Sequence, residues 1–279
     1  MKETAFFDGQ YLPLGKVKIP VLAPGFLYGW GLFETMRCFN GRIACLRQHL
    51  LRIRHDAPKL KMKLPYSPGK LEEIIIRLAG INGFRDAYIR LNLYKSIKGA
   101  STIIIVKNYT PWPVRKYRQG FRACISEYRQ DERSFLARLK SANRVLYQLA
   151  LGNAGKKNYD EAVILNSRGF IAECSRSNIF LVKNKKILTP SLASGCLNGI
   201  TRNAVLSLAA KIGLKTKQNL LSPSHLREAD EAFLTNSLIG IMPLVSIENK
   251  RIGAGKPGSL TVLLMREYDR LLKGEGAGE

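Results

Sequence analysis

The segment Asn108-Tyr109-Thr110-Pro111-Trp112-Pro113 limits how this chain can fold more than any other. Each proline removes a backbone donor and fixes φ, so two of them this close exclude a helix interior or a central strand. The chain must break there, and each flank is long enough to build a core of its own. We therefore expect one domain over residues 1–112, a linker over 113–122 and a second domain over 123–279.

Apolar periodicity fills both halves with mixed elements. Ala5 to Leu12 reads as a hairpin turned at Asp8-Gly9, and Phe33 to Phe39 as a strand turned at Asn40-Gly41. Helices are expected over 48–60 and 68–78, then strands over 86–94 and 101–106. Beyond the prolines, strands fit 121–128, 161–165, 170–173 and 178–183. Helices fit 142–152 and 203–211, the latter stopping at Gly213. The expected fold class is α/β (α+β), in two domains.

Composition closes off several classes. Apolar residues make up 46% of the chain, yet no apolar run approaches the ~20 residues that span a bilayer. The opening Met1 to Gly9 is too short, and too acidic in its apolar stretch, for a secretory signal; a cytoplasmic protein without membrane contact is expected. Cys38, Cys45, Cys124, Cys174 and Cys196 are scattered and odd in number, with no CxxC pair and only three histidines in the chain. Reduced thiols are expected, with no disulfide framework and no metal site. The net charge of +24 is spread along the whole chain rather than gathered in a tail. It reads as a basic surface that favours anionic ligands, and a nucleic-acid partner is not expected.

Three stretches carry chemistry. In Leu197-Asn198-Gly199-Ile200-Thr201-Arg202 a glycine turn feeds a helix whose first turn offers a hydroxyl and unpaired N–H groups, the makings of an anion site. Thr201 capping its own helix explains the same residues equally well. Thr235-Asn236-Ser237 follows an apolar strand and suits a phosphate, although a polar turn is the simpler reading. Glu173 ends another apolar strand and by itself reads as an edge charge. Lysines are abundant, so nothing in composition marks Lys140.

The motifs in order say more. Tyr28-Gly29-Trp30-Gly31-Leu32-Phe33-Glu34-Thr35 resembles a YGxGxFE segment, and His49-Leu50-Leu51-Arg52 an HLxRL segment. Lys140 sits in an RLKSxNR pattern, Glu173 opens ExxxxNIF, and Thr189-Pro190 precedes LxGITR at Leu197 to Arg202. Ala229 to Ser237 completes the set. Together these resemble the fold-type IV enzymes that use pyridoxal 5'-phosphate (PLP), a family holding branched-chain and D-amino-acid aminotransferases and 4-amino-4-deoxychorismate lyases. The resemblance implies a smaller N-terminal domain, a larger PLP-binding one, a cofactor in the cleft, and a homodimer whose partner loops close the site.

It also implies roles. Lys140 would carry PLP as a Schiff base and shuttle the proton at the reacting carbon. Glu173 would keep the pyridine nitrogen protonated, which only a carboxylate does well. Arg52, Ile200, Thr201, Asn236 and Ser237 would hold the phosphate end. Arg144 would replace the tyrosine that branched-chain enzymes place after the lysine. Tyr28, Phe33, Thr35 and Arg90 would line the site of a small amino substrate. Thr35, the KxxNR pattern and Thr235-Asn236-Ser237 lean towards the lyase, which releases pyruvate and 4-aminobenzoate for folate synthesis, with Thr35 assisting the leaving group. The alternative is a transaminase for D-amino acids, branched-chain or other L-amino acids.

Overall fold

The computed structural model describes residues 3–274. Met1 and Lys2, the first residues of the stretch weighed as a signal, lie outside the described residues, as do 275–279 at the end of the expected second domain. The chain divides into two compact units, Met1–Thr110 with Leu139–Asn143, and Pro111–Arg138 with Arg144–Glu279.

The first unit holds β1 (Thr4–Phe7), β2 (Gln10–Pro13), α1 (Pro24–Tyr28), β3 (Gly31–Phe39), β4 (Arg42–Ile43), α2 (Leu46–Asp56), α3 (Pro68–Asn82), β5 (Ala87–Ser96) and β6 (Gly99–Asn108). Its sheet is antiparallel, in the order β2-β1-β6-β5-β3-β4. The expected helix over 48–60 is α2 followed by a 3-10 turn at Ala57–Leu60, because Pro58 has no N–H to continue the ladder. Helix α3 begins where the Ser67 side chain accepts from the Lys70 N–H. It buries Leu71, Ile74, Ile75 and Leu78 and stops at Gly83, whose φ of 67° suits a glycine. Each such side chain contributes roughly 1.5–3 kcal/mol relative to exposure.

The second unit holds α4 (Val114–Gln119), β7 (Phe121–Gln130), α5 (Val145–Lys156), β8 (Glu161–Asn166), β9 (Ile171–Cys174), β10 (Asn178–Lys183), β11 (Lys186–Pro190), α6 (Ile200–Lys211), β12 (Thr216–Asn219), α7 (Pro223–Arg227), β13 (Glu231–Asn236), β14 (Gly240–Ile247), β15 (Lys250–Arg251) and α8 (Ser259–Lys273). The sheet runs β12-β11-β10-β13-β14-β7-β8-β9, with β15 on β14. One core packs Phe180 and Phe233, stacked at 4.8 Å, against α6 and α8. A separate core gathers Phe121, Val163, Ile179, Leu234 and Leu244.

Two expectations about the division are corrected. Residues 113–122 are not a linker: α4 and the start of β7 occupy them. Pro113 caps α4, a place where a missing N–H costs nothing, and the Trp112 ring packs on Phe121 at 5.6 Å. Leu139–Asn143 also leaves the second domain's stretch of sequence to join the first unit. Strand β4 pairs only with Cys38 and Phe39, so the other end of β3 has an open edge. The Phe33 N–H donates to the Lys140 carbonyl at 2.9 Å and the Ala142 N–H to the Gly31 carbonyl at 2.8 Å. That pairing satisfies the edge and delays the helix expected at 142 until Val145. No helix among the described residues is long and apolar enough to cross a membrane.

Candidate active site

In the first unit, strand pleat sorts the residues of β3. Phe33 and Thr35 point to one side of the sheet and Glu34 to the other. Thr35 pairs across the sheet with Arg90, and Phe33 with Asn92. The Arg90 guanidinium stands 3.6 Å from the Phe33 ring centroid, and the Lys140 ammonium 4.7 Å from the same centroid. Arg90 is further oriented by Asn92, whose Oδ1 accepts from Nε at 2.9 Å. The sequence candidates Phe33, Thr35, Arg90 and Lys140 thus form one cluster, in which a primary amine and a guanidinium both pack on one apolar ring. Tyr28 is not part of it; it stands 70% exposed at the end of α1.

On the opposite side, Glu34 is buried and holds Arg52 through two bonds, Nε to Oε1 at 2.7 Å and Nη2 to Oε2 at 2.6 Å. His49 Nδ1 lies 2.6 Å from the same Oε2. Burial alone would push the Glu34 carboxyl up, but the charge and hydrogen bonds of Arg52, aided by His49, bring it down to about 2. Burial lowers His49, only partly opposed by Glu34, so the ring favours its neutral form. Sequence reasoning quoted Glu34 and His49 as parts of motifs and gave them no task. The signal was available: His49 and Arg52 are three apart on one helix and share a face.

In the second unit, Glu173 lies near the end of β9, 5% exposed, and its Oε2 accepts from the Leu197 N–H at 3.0 Å. The loop it holds leads into α6. Gly199 is the N-cap and supplies no side-chain bond, so the first N–H groups of α6 are not capped from within. A Cβ on Gly199 would run into Asn178 Oδ1, whose amide is pinned to the Leu197 carbonyl at 2.9 Å. Ile200 and Thr201 are the first two helical residues, and Thr201 is 4% exposed. It does not cap the helix, which removes the bland explanation of that residue.

At the end of β13, Thr235 Oγ1 is buried and has no hydrogen-bond partner among the described residues. Asn236 Oδ1 accepts from the Leu238 and Ile239 N–H groups, both at 2.9 Å, and its Nδ2 donates to the Arg176 carbonyl at 3.0 Å. The Asn236 side chain is thus occupied by the turn that presents Ser237. Arg144 ends the loop before α5; its Nη2 donates to the Ser175 carbonyl at 2.8 Å and its guanidinium lies 3.3 Å from the Tyr147 ring centroid.

Each unit by itself offers part of what a phosphorylated pyridine aldehyde needs. An uncapped helix start with a buried threonine and an unpartnered buried hydroxyl suit a phosphate. A nearly buried carboxylate suits a protonated ring nitrogen, and a lysine suits an aldehyde.

The family model described as Amino-transferase class IV matches residues 31–247. The chain belongs to that family. A probable branched-chain-amino-acid aminotransferase of Aquifex aeolicus is 35% identical, over 97% of this chain and 93% of its own. A D-alanine aminotransferase of Bacillus licheniformis is 28% identical, over 91% of this chain and 92% of its own. Among solved structures, a branched-chain amino acid aminotransferase from T.th., with pyridoxamine 5'-phosphate, superimposes with a TM-score of 0.94 at 26% identity, covering 99% and 96% of the two chains. The chain is therefore a PLP-dependent enzyme of fold type IV. All three relatives are named as aminotransferases, which favours the transaminase alternative over the lyase reading.

Proposed function

We propose that this enzyme is a transaminase, moving the amino group of a small amino acid to a keto acid. The Lys140–Phe33–Arg90 cluster carries the reading, because it provides an amine and, on the same aromatic ring, a cation suited to a substrate carboxylate. The relatives' names support it. PLP, when bound, withdraws electrons from the carbon that bears the amine and so makes its proton acidic. Lys140 would hold the cofactor and then, as a free amine, take that proton and return it. Glu173 would keep the ring nitrogen protonated, and Arg144 would face the ring oxygen. The Ile200 N–H, Thr201 and Ser237 would bind phosphate with Arg52, whose guanidinium Glu34 fixes in place. Arg90 would orient the substrate carboxylate, while Phe33 and Thr35 would line its side-chain end.

A homodimer in the cytoplasm completes the proposal. Val21, Leu22, Phe26, Leu27 and Tyr28 are all about half exposed or more, an apolar patch around α1 that a second copy would cover. The described cysteines are free thiols, in keeping with a reducing compartment. One observation keeps deoxychorismate lysis in view: Thr35 pairs directly with Arg90, on the face that carries Phe33.

The decisive experiment gives holoenzyme either single L- or D-amino acids or aminodeoxychorismate. Bleaching of the bound cofactor by an amino acid, with colour restored by a keto acid, establishes the transaminase. Rapid 4-aminobenzoate release without bleaching refutes it in favour of the lyase. Lys140→Ala should lose both the visible absorbance and turnover; retained turnover would move the amine elsewhere.

A further inference from the structure

Glu161 is a buried acid to which the functional reading assigns no task. It opens β8 at 1% exposure. Its Oε1 accepts from the Ala162 N–H at 3.0 Å and from the Ser175 hydroxyl, and its Oε2 accepts from the Ser177 hydroxyl at 3.1 Å. Both serines are buried as well, so little water competes for these bonds and losing them would leave polar groups without partners.

What Glu161 grips is the turn Ser175-Arg176-Ser177, which joins β9 to β10. Glu173 lies just ahead of that turn and Asn178 just after it. Both reach Leu197: Glu173 Oε2 accepts from its N–H at 3.0 Å, and Asn178 Nδ2 donates to its carbonyl at 2.9 Å. The carbonyls of the turn hold two further groups. Ser175 accepts from Arg144 Nη2 at 2.8 Å, and Arg176 accepts from Asn236 Nδ2 at 3.0 Å. Asn236 in turn fixes the Leu238 and Ile239 N–H groups that follow Ser237. A shift of this one turn therefore reaches Arg144, the loop into α6 and Ser237 together, all within the second unit.

We propose that Glu161 is a positioning residue for the cofactor: by fixing two serine hydroxyls it sets where the turn's carbonyls hold Arg144, which faces the ring oxygen, and Asn236, which presents Ser237 to the phosphate. Glu161 touches neither cofactor nor substrate in this account; it acts through the turn. A glutamine keeps an oxygen for Ala162 and Ser175 and offers an amide N–H to the Ser177 oxygen, so it preserves the grip, whereas alanine abolishes it. The inference rests on reading Arg144 and Ser237 as cofactor groups, and the test separates the two.

The cofactor-free protein is titrated with PLP, and the phosphorus resonance and visible absorbance maximum of the holoenzyme are recorded. The proteins compared are wild type, Glu161→Ala, Glu161→Gln, Ser237→Ala and Arg144→Gln. Glu161→Ala should weaken PLP binding about tenfold, the upper end of what one lost hydrogen bond accounts for. It should also move the phosphorus resonance in the direction of Ser237→Ala and the absorbance maximum in the direction of Arg144→Gln. Glu161→Gln should stay close to wild type in all three; damage equal to that of alanine would overturn the hydrogen-bonded grip. A loss of stability alone would lower the unfolding midpoint and leave both spectral positions in place. If Glu161→Ala proves too unstable to purify, Ser177→Ala, which removes only the Oε2 bond, must move both signals the same way by less. Signals unmoved by Glu161→Ala, or by Ser177→Ala in its place, while Ser237→Ala and Arg144→Gln move theirs, overturn this proposal and leave the reading of the site standing. Signals that Ser237→Ala and Arg144→Gln also leave unmoved overturn both.

Discussion

Glu34→Gln would measure what the buried ion-paired cluster of the first unit contributes to stability. The Glu34 carboxyl falls from 4.5 to about 2 on folding, which corresponds to roughly 3 kcal/mol of stability near neutral pH. Burial opposes ionisation there, and the two bonds from Arg52 with the contact from His49 more than offset it. Deleting one partner of a buried pair costs ~3–5 kcal/mol in general. Arg52 keeps some contact with solvent, its side chain being 12% exposed, which favours the lower end. Because the folded value lies below the unfolded one, the contribution is complete above the unfolded value of 4.5 and is lost as pH falls towards 2. Urea denaturation of the cofactor-free protein at several pH values should therefore show a gap of about 3 kcal/mol between wild type and Glu34→Gln near neutrality. The gap should narrow steadily below the unfolded carboxyl value. A neutral-pH gap under about 1 kcal/mol, the worth of an exposed pair, would refute the argument, and so would a gap that persists in acid.

Gly199→Ala should weaken cofactor binding about tenfold, since the new methyl displaces either Asn178 or the first turn of α6; adding Asn178→Gly should restore much of the loss, and equal affinity in all three proteins would refute the steric account. Phe33→Leu should raise KM for the amino acid about two- to fivefold, the range expected for losing a ring that faces two cations, and an unchanged KM would separate Phe33 from Arg90 in function. Phe26→Glu places a charge in the exposed patch around α1 and should turn a dimer into a monomer by sedimentation velocity; an unaltered mass would put any subunit contact elsewhere.

Local signals in the sequence were enough to determine much of the punctuation of this chain and its family. The Asp8-Gly9 and Asn40-Gly41 turns and the strands 33–39 and 178–183 depend on neighbouring residues, and local patterning shows such features directly. The ordered motifs gave the family, and pointed to Lys140, Glu173 and the α6 start as its candidate site, because that chemistry tolerates few residue types. Long-range bonding decided the rest. Residues 113–122 read as a linker because proline signals a break, yet a proline just before a first helical turn permits a helix, and only packing on Phe121 shows which outcome holds. Lys140 belongs by sequence to one unit and by hydrogen bonds to the other, since the open edge of β3 was invisible until the sheet was assembled. That the Asn236 side chain holds a turn was likewise visible only in its bonds to residues 238 and 239. Tyr147 carried no signal at all: its hydroxyl donates to Gln130, 17 residues before it, a pairing made only by the folding of β7 against α5.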